Sequence, residues 1–66
     1  MKVKQNREYL RSRRKKRGLT QKQVADCLSI SRELYAKIEG GTRNPGLKTA
    51  VKIADFYSID VRKLIK

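Results

Sequence analysis

The chain can hold its fold together only by packing side chains, because its 66 residues include one cysteine and no histidine. A single cysteine excludes an internal disulfide, and without histidine no Cys/His zinc site can form. A chain this short hides only about 60% of its unfolded surface on folding. We therefore expect a single domain over residues 1–66, with a small and efficiently packed apolar core.

Helix-capping residues and glycines divide the chain into short segments, and no stretch alternates apolar and polar residues as a strand would. Asn6 is suited to cap a first helix over about 6–17, which Gly18 ends in a left-handed conformation. Thr20 and Gln23 have the spacing of a capping box, so a second helix begins at Thr20 and lasts two turns. These signals predict helices in the first half of the chain.

The same signals continue to the end of the chain. Ser31 caps a third helix over about 32–39, which ends at the pair Gly40-Gly41. A fourth helix is predicted over 47–57, where six apolar residues have helical spacing: Leu47, Ala50, Val51, Ile53, Ala54 and Tyr57. Asp60 caps a last short helix over about 61–65. The predicted fold class is all-α, with five short helices.

The second and third predicted helices are joined by a tight turn, which is the arrangement of a helix-turn-helix motif over about residues 21–40. Ala25 is small enough to let the two helices cross closely. Val24, Leu28, Tyr35 and Ile38 would then hold the pair together. The third helix would project as a rod that fits a major groove about 12 Å wide.

Positive charge dominates the composition, with 18 Lys and Arg against 6 Asp and Glu, a net charge of +12 and a pI near 10.5. Such a chain favours polyanions, with nucleic acid ahead of an anionic membrane surface. We expect no signal peptide and no membrane segment, and a cytoplasmic protein. The basic run 13–17 lies on the first helix, where we expect it to raise the positive potential and steer DNA inward.

Several motifs in a fixed order resemble the Xre family, which has the lambda-repressor-like fold of phage Cro proteins and phage repressors. In chain order they are Gly18-Leu19-Thr20-Gln21, Val24-Ala25, Ile30-Ser31-Arg32, Ile38-Glu39-Gly40-Gly41 and Asn44-Pro45. The resemblance covers about residues 10–64. It implies a transcriptional regulator that binds specific sequences of double-stranded DNA. We expect a repressor that acts as a homodimer on a near-palindromic operator, with half-sites about 34–36 Å apart or a multiple of that distance.

The resemblance also implies residue roles. The third helix matches the recognition helix, with base contacts from Arg32, Glu33 and Lys37. Arginine can pair bidentately with guanine, whereas Glu33 either accepts from cytosine N4 or pairs with Lys37 one turn away. The implied phosphate or other possible contacts are Gln21, Ser31, Leu34, Gly41, Thr42 and Arg43. Arg14 and Glu39 match a structural ion pair.

Some positions leave alternatives open. Ser31 is first a helix cap, and Leu34, expected to be exposed, could meet a thymine methyl or pack at a dimer edge. Ile59, Val61 and Ile65 exceed what one small core can hide, which suggests a dimer surface. Arg13 and Gly46 depart from the family pattern, where an apolar residue and a capping serine are usual. Both departures suggest modest stability unless DNA or a second chain contributes.

Other functions fit the sequence less well. The main alternative is an antitoxin-type protein that binds a partner and represses its own operon. A cationic membrane-active peptide and an RNA-binding protein are weaker, because neither a long amphipathic face nor an aromatic stacking platform is evident. We expect no enzyme activity, since the lone Cys27 has no histidine as its base. We also expect no cofactor, no metal and no small-molecule effector.

Overall fold

A computed structural model describes residues 8–64, which form four α-helices and a 3-10 turn and include no strand. The elements are α1 (Glu8–Lys16), α2 (Gln21–Leu28), α3 (Arg32–Gly40), α4 (Leu47–Tyr57) and the 3-10 turn (Val61–Lys63). The predicted all-α class is confirmed, and the described part of the predicted last helix is the 3-10 turn. The predicted cap Asn6 and the predicted helical residue Ile65 lie outside the described residues.

Local capping explains where α2 and α3 begin. The Thr20 hydroxyl accepts from the Gln23 backbone N–H at 3.1 Å, and the Gln23 side chain accepts from the Thr20 N–H at 2.8 Å. This is the predicted capping box. Ser31 accepts from the Leu34 N–H at 3.0 Å, as its N-cap position requires. Gly46 precedes α4 with no side-chain cap, so that helix begins without this stabilisation.

The core lies where α1–α4 and the 3-10 turn meet. Each of the four helices supplies buried side chains, whereas the three residues of the turn supply none. The buried apolar residues are Leu10, Val24, Ala25, Leu28, Tyr35, Ile38, Ala50, Ile53, Ala54, Tyr57 and Leu64. Ala25 is only 1% exposed, consistent with the close approach of α2 and α3 that its size permits. The predicted inward positions of both helices of the motif are confirmed.

Five apolar residues differ from expectation. Leu34 is half-buried against the core rather than exposed, because it lies one turn before Ile38 at the edge of the buried face of α3. Ile59 and Val61 also pack partly against the core. The large apolar side chains left exposed are instead Leu47 and Val51 of α4, which are 65% and 42% exposed.

Within residues 8–64, no helix combines the length and the apolar character that crossing a bilayer requires. The longest helix there is α4, with 11 residues, whereas a spanning helix needs about 20.

Candidate nucleic-acid interface

The turn between α2 and α3 sets the direction in which α3 projects. Ser29 ends α2 in the left-handed region, with φ 60°, and its N–H closes on carbonyls of α2. Ser31 then caps α3 only two residues later. Since the faces of α2 and α3 that meet are buried, the opposite face of α3 points away from the protein.

That outward face carries the three predicted base-contacting residues. Arg32, Glu33 and Lys37 are all exposed. In the structure described for residues 8–64, none of the three side chains has a hydrogen bond or ion pair. Glu33 and Lys37 do not pair with each other although they lie one helical turn apart. Their polar groups are therefore available to an external partner.

Arg14 and Glu39 form a buried, bidentate ion pair between α1 and the end of α3. Arg14 Nε donates to Glu39 Oε2 at 2.8 Å, and Arg14 Nη2 donates to Glu39 Oε1 at 3.1 Å. Arg14 Nη1 also donates to the Leu19 carbonyl at 3.0 Å. Because the guanidinium is planar, these bonds fix the orientation of α3 relative to α1 as well as its distance.

The Glu39 carboxylate stays ionised although it is buried. Burial acts to raise the pKa of Glu39, but hydrogen bonds donated by Arg14 and Gln21 outweigh it and hold that pKa below its ordinary value of 4.5. Gln21 Nε2 donates to Glu39 Oε1 at 2.9 Å. Gln21, the predicted phosphate contact, therefore also connects α2 to this ion pair, and its second N–H is not used by that bond.

Two tyrosine hydroxyls hold α3 on its other side. The hydroxyl oxygens of Tyr35 and Tyr57 lie 2.7 Å apart in the core, and this hydrogen bond connects α3 to α4. Burial raises the pKa of both tyrosines, so both hydroxyls remain protonated. Among the described residues, every buried side-chain nitrogen and oxygen has a hydrogen-bond partner. Polar bonds therefore position α3 from both flanks.

The basic run 13–17 has a use that its sequence did not reveal. Arg13 Nη1 donates to the Tyr57 carbonyl at 3.5 Å, and Arg17 Nη1 donates to the Phe56 carbonyl. The Arg17 guanidinium also lies over the Phe56 ring, 5.1 Å from its centroid. Cations at the C-terminus of α4 complement its unpaired carbonyls and its dipole. Arg13 and Arg17 therefore contact the C-terminus of α4, which the sequence did not predict.

The segment after α3 closes on the helix itself. Gly41 adopts φ 81°, in the left-handed region, and its N–H donates to the Ile38 carbonyl at 3.1 Å. The N–H groups of Thr42 and Arg43 both donate to the Lys37 carbonyl, at 2.9 and 3.2 Å. The backbone donors of 41–43 are thus used within the protein. Any predicted phosphate contact from this segment must come from the Thr42 hydroxyl and the Arg43 side chain.

Comparison with known proteins agrees with this geometry. A family model described as helix-turn-helix matches residues 10–64. The cryptic phage CTXphi transcriptional repressor RstR of Vibrio cholerae is 34% identical over 56 residues, which are 85% of this chain and 50% of RstR. The uncharacterized HTH-type transcriptional regulator YqaE of Bacillus subtilis is 37% identical over 59 residues, 89% of this chain and 51% of YqaE.

The uncharacterized HTH-type transcriptional regulator YqaF of Bacillus subtilis is 37% identical over 54 residues, 82% of this chain and 71% of YqaF. The chain spans about half the length of RstR and YqaE. No solved structure matches it significantly. The resemblance predicted from the sequence motifs is confirmed by the match over residues 10–64, and the chain belongs to the Xre-like helix-turn-helix family.

Proposed function

We propose that the chain binds specific sequences of double-stranded DNA and regulates transcription, with α3 lying in the major groove. The observation that carries the proposal is the contrast between the two sides of α3. One side is held by the core, by Glu39 and by the Tyr35 hydroxyl. The other presents Arg32, Glu33 and Lys37 with no partner among the described residues. A rigid helix with unpaired polar groups is suited to reading base edges.

Arg32 has the largest proposed role in reading sequence. It is the first residue of α3, and its guanidinium can donate two hydrogen bonds to guanine O6 and N7. Glu33 accepts from cytosine N4, and Lys37 donates to a base or phosphate one turn further along. The net charge of +12 supplies sequence-independent attraction to phosphates.

We further propose that the protein is a repressor that binds its operator as a homodimer. The RstR relative carries the name of a transcriptional repressor. A helix-turn-helix dimer spans two half-sites about 34–36 Å apart, or a multiple of that distance. Sedimentation equilibrium with and without operator DNA tests this part, since a monomer under both conditions contradicts it.

Selection of bound duplexes from random DNA at about physiological salt tests the central proposal, because that salt weakens the non-specific attraction. The expected result is one inverted repeat, with the preference at one base position lost in Arg32→Ala. Losing one bidentate contact removes about 1–3 kcal/mol of discrimination, or roughly 5- to 150-fold in relative affinity. Recovery of no shared sequence contradicts sequence-specific binding.

A further inference from the structure

We propose that a cationic cleft beside α3 binds a phosphate of the DNA backbone, through Arg11 and Lys15 of α1. The cleft is an open groove of about 910 Å³ between α1, the start of α2 and α3. Its lining includes Arg11 and Lys15 from α1, Gln21 from α2 and Arg32 from α3. The inference rests on the proposed function and adds a second contact region that lies outside the recognition helix.

The charges around this cleft are unbalanced. Arg11, Lys15 and Arg32 are exposed, and their side chains have no hydrogen-bond or ion-pair partner among the described residues. At the back of the cleft, the carboxylate of Glu39 is already bonded to Arg14 and Gln21. Three cations therefore face one groove without an internal anion bonded to any of them. Such an arrangement favours an external anion.

The position of Arg11 and Lys15 on α1 is consistent with one ligand. They lie four positions apart, so they occupy neighbouring places on one helical face. Lys16 follows Lys15 directly but does not line the cleft. Lys15 and Lys16 therefore have the same charge and are both exposed, but only Lys15 lines the cleft.

The site's relation to Arg32 favours a DNA phosphate over a free anion. An α-helix with its side chains is about 10–12 Å across, which nearly fills a major groove about 12 Å wide. When α3 lies in the groove, the sugar–phosphate strands border its flanks. The cleft lies along one flank, and Arg32 belongs both to its lining and to the outward face of α3. A strand bordering the groove would therefore meet Arg11 and Lys15.

The salt dependence of operator affinity tests the contact, with Lys15→Gln compared against Lys16→Gln. Each phosphate contact contributes about 0.9 to the slope of log K against log salt concentration. We expect Lys15→Gln to reduce that slope by about 0.9 and to leave sequence preference unchanged. Lys16→Gln changes the slope by much less, and Arg11→Gln behaves like Lys15→Gln. Equal slopes for the Lys15 and Lys16 variants would overturn the proposal.

Glu8 offers a test of opposite sign. It lines the same cleft, one turn before Arg11, and its carboxylate is not bonded to any cation within residues 8–64. Glu8→Gln removes a negative charge that opposes the phosphate, so the affinity for the operator should rise at low salt. A fall or no change would contradict a phosphate in this cleft.

Single methylphosphonate linkages, which carry no charge, distinguish a DNA phosphate from a free anion. Introduced one at a time along each operator strand, at least one should weaken the binding of the wild-type chain and have little effect on Lys15→Gln. The Lys16→Gln variant should remain sensitive at that position. If no position behaves this way while the wild type keeps its sequence preference, the cleft contact is wrong. If the wild type shows no sequence preference, the proposed function fails as well.

Discussion

The two sides of α1 carry the same positive charge, but only one side has partners within the protein. On the inner side, Arg13, Arg14 and Arg17 bond to α3, to α4 and to the segment before α2. On the cleft side, the side chains of Arg11 and Lys15 bond to none of the described residues. A basic sequence therefore contains side chains with internal partners and side chains without them, and only the fold separates the two groups.

Helix geometry explains this division. Successive residues of an α-helix point about 100° apart, so a run of five basic residues surrounds the helix axis. Arg14 reaches the buried Glu39, and Arg17 reaches the end of α4. Lys15 and Lys16, which lie between these two arginines, point in other directions. Charge alone therefore does not identify a candidate DNA-binding residue. The absence of an internal partner distinguishes such a side chain from a basic side chain that stabilises the fold.

Arg14→Ala should have the largest effect on stability. It leaves the buried carboxylate of Glu39 without its ion-pair partner, and breaking a buried pair costs about 3–5 kcal/mol. Since a chain of this size is stable by about 3–10 kcal/mol, much of the population should be unfolded at 37 °C. Urea unfolding followed by circular dichroism measures the loss. Arg11→Ala, on the cleft side, is the control and should change stability by less than about 0.5 kcal/mol.

Lowering the pH should destabilise the fold by protonating Glu39, the partner of Arg14 on the inner side of α1. The folded-state pKa of Glu39 lies below its ordinary value of 4.5, so its ionisation contributes stability that is fully present above about that pH. This stability is lost as the pH falls through the lower folded-state pKa. Thermal melts between pH 7 and pH 2 should show the decrease, and Glu39→Gln should reduce its size. An unchanged pH profile in Glu39→Gln would contradict an ionised, hydrogen-bonded Glu39.

Tyr35→Phe extends the comparison to uncharged partners. The substitution leaves the buried Tyr57 hydroxyl without its hydrogen bond, which costs about 1–3 kcal/mol. The double variant Tyr35→Phe/Tyr57→Phe removes both polar groups and should be destabilised by less than the sum of the two single variants. Additive losses, measured by urea unfolding, would show that the two hydroxyls do not depend on each other.

Much of the fold was predictable because its signals are local. The capping box at Thr20 and Gln23 and the cap Ser31 set the starts of α2 and α3 over three-residue distances. The spacing of apolar residues gave the bounds of α4. The 3-10 form of the last element was not predictable, because 3-10 hydrogen bonds join residues three positions apart and α-helical ones join residues four apart. The same sequence signals start both kinds of helix.

The partners of the basic run could not be read from the sequence. Arg13 and Arg17 reach carbonyls 44 and 39 positions away, and backbone carbonyls carry no sequence signal. The exposure of Leu47 and Val51 could not be predicted for a related reason. Helical spacing identifies an apolar stripe on α4, but it does not show how much of that stripe the other helices cover. Knowledge of which helices pack together is required in both cases.

Among the variants that remove an internal contact, Arg17→Gln should have the smallest effect on stability. It removes a cation from the C-terminus of α4 and from the face of the Phe56 ring, each worth about 0.3–1 kcal/mol at an exposed site. The melting temperature should therefore fall by several degrees, since about 1 kcal/mol corresponds to roughly 4–8 °C in a small domain. An unchanged melting temperature would show that the contacts of Arg17 with α4 do not stabilise the fold.

The most direct test of the account compares Arg17→Gln with Arg32→Gln, which replace the same residue type and remove the same charge. For each variant, the melting temperature and the affinities for the selected operator and for an unrelated duplex are measured at the same salt concentration. We predict that Arg32→Gln keeps its melting temperature and loses preference for the operator, whereas Arg17→Gln loses thermal stability and keeps that preference. Equal losses of operator preference in the two variants would contradict the assignment of DNA reading to α3.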